Sequence, residues 1–258
     1  MNNKDIKISI VTVVYNGVAT IERTIKSILE SQSYENIEYI IIDGDSNDGT
    51  VEIIKQYESK LAYWHCQKDD GIYNAMNIGI SKTTGDYIAL VNADDWLEED
   101  IIKNIVNILR HDDSIDILHG NLNYMKNGTS RIHIPKINKS IFFIPHIVFY
   151  HPTFFVHKRV YEEMKYDEDY KLLSDYKFIL QTLSKKINFY YYNKNISNFL
   201  SGGASSNFLI SLKERQRIQF EMGYNIFQVY SFSISIIIKR IAGYLKMRIL
   251  DGTIKNFL

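Results

Sequence analysis

Asn92-Ala93-Asp94-Asp95 is the densest chemistry in this 258-residue chain. It ends the apolar stretch 87–91, which reads as a buried strand. Two acidic side chains just past a strand end can face one pocket. Hard carboxylate oxygens hold a divalent cation, and a cation so held neutralises a departing diphosphate. Placed before Glu98-Glu99-Asp100, the same residues also suit a helix N-cap, and the run alone does not separate the two. A second polar run, Asp43-Gly44-Asp45-Ser46-Asn47-Asp48-Gly49-Thr50, ends the stretch 39–42. Its acidic groups can accept from a base N–H or from ribose hydroxyls. These are turn residues too, but the run is longer than a turn needs. A third, Lys68-Asp69-Asp70-Gly71, opens a helix signal whose N-terminus favours anions, as in an ordinary strand-to-helix loop.

Strands at 8–14, 39–42, 61–65, 87–91 and 115–118 alternate with helical spacing at 21–29, 51–57, 71–79 and 101–109. This order predicts an α/β fold with a mostly parallel sheet flanked by helices. In such sheets ligands bind beyond the carboxyl ends of the strands. The polar clusters after Val14, Ile42, His65 and Val91 all fall there, so they predict one shared site. Farther on, helices are expected at 160–164 and 175–183. Short strands are expected at 189–192 and 196–200, then a Gly-Ser loop at 201–206.

Composition narrows the classes. Hydrophobic residues make up 45% and charged residues 23%, with 19 Tyr and 13 Phe, so a packed core is expected rather than disorder. The single cysteine, Cys66, and a polar start without an apolar leader predict a cytoplasmic protein. The triplets at Asn127, Asn138 and Asn195 then read as chance matches to a glycosylation motif. Residues 207–258 hold 8 Lys and Arg against 3 Asp and Glu, whereas residues 1–206 hold 22 against 27. An acidic body disfavours nucleic acid as a partner. The stretch after the first strand reads Tyr15-Asn16-Gly17-Val18-Ala19, without the Gly-x-Gly-x-x-Gly of a dinucleotide oxidoreductase. A glycosidase would leave three nucleotide-type loops unexplained.

Taken together these motifs resemble glycosyltransferase family 2 of the GT-A fold, with bacterial capsular and O-antigen enzymes as the nearest likeness. Thr12-Val13-Val14-Tyr15-Asn16 resembles the family's opening strand and nucleotide loop, and 41–50 its second nucleotide segment. Asp70-Gly71-Ile72-Tyr73-Asn74-Ala75-Met76-Asn77 is similar to a helix start common among its polysaccharide-building members. The resemblance implies an inverting, metal-dependent transfer from a nucleoside-diphosphate sugar, first of all a UDP-sugar, to a glycan or lipid-linked acceptor. Donor contacts are then expected from Thr12, Val14, Tyr15, Asn16, Asp43, Asp45, Asp70, Gly71, Tyr73, Asn74, Asn77, Asn92, Ala93 and Asp94. Mg2+ or Mn2+ falls to Asp94, with Asn92 and His151 as lesser ligands and Asp95 behind them. The family's metal motif is usually Asp-x-Asp, so the neutral Asn92 is a departure. It is also the sole support for a non-catalytic binding or scaffold protein.

The later half resembles the family's acceptor region more loosely. Leu173-Ser174-Asp175-Tyr176 is similar to the segment that supplies the general base, which assigns Asp175 as catalytic. His151-Pro152-Thr153 resembles a segment before the acceptor helix. A lone histidine beside proline and aromatics also fits a structural role. We therefore expect a GT-A domain over 1–206, with a nucleotide-sugar half at 1–119 and an acceptor half at 120–206. A basic helical extension follows at 207–258. Its stretch 226–249 suits a helix on the inner face of the cell membrane and equally one packed on protein, and oligomerisation stays open.

Overall fold

The computed structural model describes residues 5–139, 145–201 and 207–250, with side chains outside 137–148 and 244–250. By proximity the chain divides into Met1–Pro135 with Val148–Ser206, and Lys136–Ile147 with Asn207–Leu258. Residues 136–147 thus group with the C-terminal helices rather than with 120–206.

The first unit is a mixed sheet. In chain order it contains β1 (Ile8–Val14), α1 (Ile21–Leu29), β2 (Ile37–Asp43), α2 (Thr50–Gln56), β3 (Tyr63–Cys66), α3 (Ile72–Ser81), β4 (Tyr87–Leu90), β5 (Trp96–Leu97), α4 (Ile101–Leu109), β6 (Ile117–Lys126) and β7 (Thr129–His133). Two strands of the second unit intervene, β8 (Lys136–Lys139) and β9 (Pro145–Val148); then come β10 (Phe155–His157), α5 (Lys158–Glu163), α6 (Ser174–Ser184) and β11 (Phe189–Leu200). The strand order is β3-β2-β1-β4-β10-β6-β11-β5, with β7 beside β6. Strands β1 to β4 are parallel, as are β6 and β11, while β10 runs antiparallel between β4 and β6. β5 pairs antiparallel with β11, and β7 with β6.

Every residue of β1 is buried, which is what an unbroken β-branched run requires of a strand covered on both faces. Ile21, Ile25 and Ile28 of α1 and Ile101, Ile102, Ile105 and Leu109 of α4 pack with it in one core. A buried polar clamp fixes the ends of β1, β2 and β4. Glu38 accepts from Ser9 Oγ, Lys7 Nζ and both the N–H and hydroxyl of Thr84, and Ser9 Oγ accepts from Gly85 N–H. Burial pushes the Glu38 carboxyl up, but Lys7, Ser9 and Thr84 outweigh it and hold it at about 2.

Two expectations change. The two short strands at 189–192 and 196–200 are one strand, β11, with register shifts between Tyr192 and Asn195 and between Asn195 and Ser197. Those bulges absorb the polar Asn193-Lys194-Asn195, which reads as a break in the sequence. Asp94 and Asp95 do not cap a helix: β5 follows them, and α4 starts behind Asp100, which takes the left-handed conformation at φ 52°. The Gly-Ser loop at 202–206 lies outside the described residues.

In the second unit, α7 (Phe208–Glu221) and α8 (Ile226–Leu250) form a hairpin. Gly223, at φ 84°, ends α7. Asn225 and Gln228 open α8 with a reciprocal pair of side-chain to backbone bonds, 2.9 and 3.0 Å. Gln216 Nε2 reaches Ser233 Oγ, and the Arg240 guanidinium sits over the Phe208 ring.

Candidate active site

The carboxyl ends of the strands surround a cleft of about 690 Å3, lined wholly by the first unit. Val14, Tyr15 and Asn16 form one wall, Gly71 and Tyr73 the next, and Asn92, Ala93 and Asp94 the floor; His151 and Asp175 close the remaining side. The sequence-derived candidates therefore converge in large part on one place.

The first wall is held by a loop-to-loop zipper. Gly44 N–H donates to the Val14 carbonyl at 2.9 Å. Asn16, left-handed at φ 51°, donates its N–H to Ser46 Oγ and accepts from Asn47 N–H through Oδ1. Gly17 N–H bonds Thr50 Oγ1, and Val18 N–H bonds Asp48 Oδ2. A Cβ on Gly17 would stand 2.7 Å from Val14 Cγ2, so only glycine fits there. The length of the 43–50 run thus serves this zipper. Asp43 is fully buried, with Oδ1 accepting from Ser46 N–H and Oδ2 unpartnered. Asp45 is exposed beside it, at φ 73°. Burial, and then the Asp43 carboxylate, push the Cys66 thiol up to about 11.

On the floor, α1 grips the backbone of the turn. Thr24 Oγ1 is within 2.9 Å of the Ala93 carbonyl and 2.6 Å of the Asp95 carbonyl. Arg23 donates to the Asp94 carbonyl, and its guanidinium lies 3.7 Å above the Trp96 ring. The side chains are less satisfied. Asn92 Oδ1 and Asp95 Oδ2 are buried without a partner, although Asp95 Oδ1 accepts from Leu200 N–H. Burial raises the Asp94 carboxyl, and burial together with Asp94 pushes Asp95 well up.

Two orphan oxygens and two carboxyls that burial drives toward the neutral form fit a bound cation. Among the described residues no three His, Cys, Asp or Glu side chains converge on one point. The residues fit an ion of the kind that keeps waters and takes its other ligands from substrate phosphates. Charge points the same way. The lining carries Asp69, Asp94 and Asp175 against Lys171, so a diphosphate needs added positive charge to settle there.

On the remaining side, Asp175 is the second residue of α6, and its Oδ1 accepts from Tyr176 N–H at 2.8 Å and from the Tyr73 hydroxyl at 3.2 Å. His151 is buried, with Nε2 on the Tyr166 hydroxyl, and burial lowers its pKa. That bond ties His151 to the protein interior.

Some candidates lie elsewhere. Thr12 is fully buried in β1 against the Tyr39 hydroxyl, because the inward face of a central strand cannot reach the cleft. Asn74 bonds Glu168, and Asn77 bonds Glu168 and both the N–H and carbonyl of Tyr166, so these amides brace the segment before α6. Asp70 is exposed and off the lining, and Asp69 takes the place expected for it. Asp69 lies over Gly44, where a Cβ would come 2.7 Å from Oδ2. Ile72, Lys171 and Phe199 also line the cleft. Gly44 within an acidic run was the one sequence signal that another backbone or side chain comes close.

The sheet has the GT-A architecture, and the chain belongs to glycosyl transferase family 2, whose profile matches residues 9–173. An uncharacterized glycosyltransferase of Mycobacterium tuberculosis is 30% identical over 177 residues, 67% of this chain and 68% of that one. Glycosyltransferase GlyA of Streptococcus pneumoniae is 31% identical over 104 residues, 39% of this chain and 15% of that one. Among solved structures, S. aureus TarS with UDP-GlcNAc superposes with a TM-score of 0.68 at 17% identity, over 83% of this chain and 66% of that one. The mannosyltransferase PcManGT of Pyrobaculum calidifontis, with GDP-Man and Mn2+, gives 0.62 at 13% identity, over 90% of this chain and 65% of that one.

Proposed function

We propose that this glycosyltransferase moves a sugar from a nucleoside-diphosphate sugar, a UDP-sugar first, to a glycan or lipid-linked acceptor of cell-surface polysaccharide, with inversion. The observation that carries the reading is that Asp94 and Asp175 line one cleft. The acceptor hydroxyl attacks the anomeric carbon from the face opposite the diphosphate. The new C–O bond forms as the bond to the diphosphate oxygen breaks, and that oxygen keeps the electron pair. The hydroxyl proton passes to the Asp175 carboxylate. Mg2+ or Mn2+, when bound, supplies positive charge to the diphosphate. Asp94 would hold the ion, with Asn92 Oδ1 as a neutral ligand and Asp95 behind them. Tyr15, 66% exposed at the lip, offers a ring face to the base, and Asp43 and Asp45 are assigned to the nucleoside. The bound UDP-GlcNAc, GDP-Man and Mn2+ of the structural relatives support donor class and ion.

The test is nucleotide release from a panel of UDP-sugars with Mn2+, beside Asp94→Ala. Release with one donor is expected, abolished by a chelator and reduced at least about 10^3-fold by the substitution. Neither release nor binding with UDP-, dTDP- or GDP-sugars would overturn the reading.

The enzyme's place is proposed to be the cytoplasmic face of an anionic membrane, reached through the α7–α8 hairpin. Ile226, Phe227, Tyr230, Ile234, Ile238 and Ile241 are 50–70% exposed, and their spacing puts them on one stripe of α8. Phe220 of α7 extends the stripe by its ring contact with Tyr230. The window 226–243 has a mean hydropathy of 1.3, long and apolar enough to cross a bilayer by length and composition. The basic excess of 207–258 favours anionic lipid over a second protein surface. Phosphatidylglycerol vesicles should pellet the intact chain and phosphatidylcholine vesicles should not, with Ile234→Glu/Ile238→Glu losing the effect. Equal binding to neutral vesicles, or a dimer that the same variant splits, would overturn it.

A further inference from the structure

We infer that Tyr73 is a positioning residue for Asp175 rather than a donor contact; the inference rests on the proposed role of Asp175 as base. The Tyr73 hydroxyl donates to Asp175 Oδ1 across 102 positions of sequence. Tyr176 N–H donates to the same oxygen. Oδ1 is therefore engaged twice, and Oδ2 is bonded to nothing among the described residues. A carboxylate held through one oxygen presents the other to an incoming hydroxyl in a fixed orientation.

The packing behind Tyr73 serves the same end. The residue is 5% exposed, and its ring stacks on Tyr166 at 5.8 Å and 20°. Tyr166 stacks in turn on Phe178 of α6, the helix that carries Asp175. Asn77 binds both the N–H and carbonyl of Tyr166, and Asn74 and Asn77 both hold Glu168. The first two turns of α3 thus fasten the segment that leads into α6. Residues 73, 74 and 77, which the sequence places on the donor, form a brace in which Tyr73 alone ends on a reacting group.

The experiment compares Tyr73→Phe, Asp175→Asn and the double variant in sugar transfer, with donor affinity measured by calorimetry in Mn2+. Phenylalanine keeps the stack and removes the hydroxyl. We expect Tyr73→Phe to lower kcat about 10-fold, with donor Kd and acceptor KM within about twofold of the parent. In the Asp175→Asn background it should have no further effect, because a residue that acts through another loses its effect when that partner is gone. Weaker donor binding at unchanged kcat, or losses that multiply in the double variant, would overturn the inference. If Asp175→Asn turns over like the parent, the base assignment fails, and that result is distinct from an inert Tyr73→Phe beside an inactive Asp175→Asn.

Discussion

Two acidic turns follow the carboxyl ends of β2 and β4, and they are built differently. The 43–50 run and the 14–18 loop satisfy one another: Ser46, Asn47, Asp48 and Thr50 each bond into the first loop or stabilise the second. The 92–95 turn has its backbone gripped by Thr24 and Arg23 but leaves Asn92 Oδ1 and Asp95 Oδ2 buried and unpartnered. A buried oxygen left unmade costs about 1–3 kcal/mol. The protein tolerates two in the turn where a cation fits and one, Asp43 Oδ2, in the run whose other polar groups shape a loop. Length of a polar run is therefore a poor guide to ligand contact, and incomplete hydrogen bonding is a better one.

The contrast can be tested from its strong end. Asp95→Asn should lower turnover about 10–100-fold through the ion, yet leave the melting temperature in chelator unchanged or higher, since it removes a carboxyl that burial already opposes. A melting temperature that falls in chelator would break the comparison. Glu38, a paired acid remote from both turns, is the control. Its folded value of about 2 lies below the ordinary 4.5, so the stability it contributes is present above pH 4.5 and is lost as pH falls from 4.5 toward 2. Urea titrations across that window should show the slope in the parent and lose it in Glu38→Gln. Asn92→Asp adds a third carboxylate to the floor; we expect a loss of about 1–2 kcal/mol in chelator, recovered with Mn2+. Thr50→Val, in the satisfied turn, should cost about 1 kcal/mol with donor affinity nearly unchanged.

What could be read in the sequence follows the same division. β1 was legible to the residue, and β2 and β4 nearly so, because central strands covered on both faces are continuous apolar runs. β5 and β10, of two and three residues, carry too few positions to show a period, and β11 was split by its own bulges. Asp94 was legible as a cleft residue because chemistry and a strand end coincide there, whereas Asp175, at the start of α6, was reached only through the family resemblance. Thr12, Asn74 and Asn77 were misplaced because composition does not say which way a side chain points. Asp69 was passed over for Asp70, a choice that one turn of backbone decides.

The antiparallel β10 between β4 and β6 bears on how the chain is made. β4 has β1 on one side, and its other side waits for Phe155–His157. About 65 residues separate Leu90 from Phe155, roughly 3–13 s of synthesis at typical rates. Through that interval the nascent chain carries a bare central edge of Tyr87-Ile88-Ala89-Leu90, an open template for another chain. This part of the sheet is completed only after Phe155–His157 has left the ribosome, so a fragment cut anywhere between residues 110 and 150 should aggregate rather than fold.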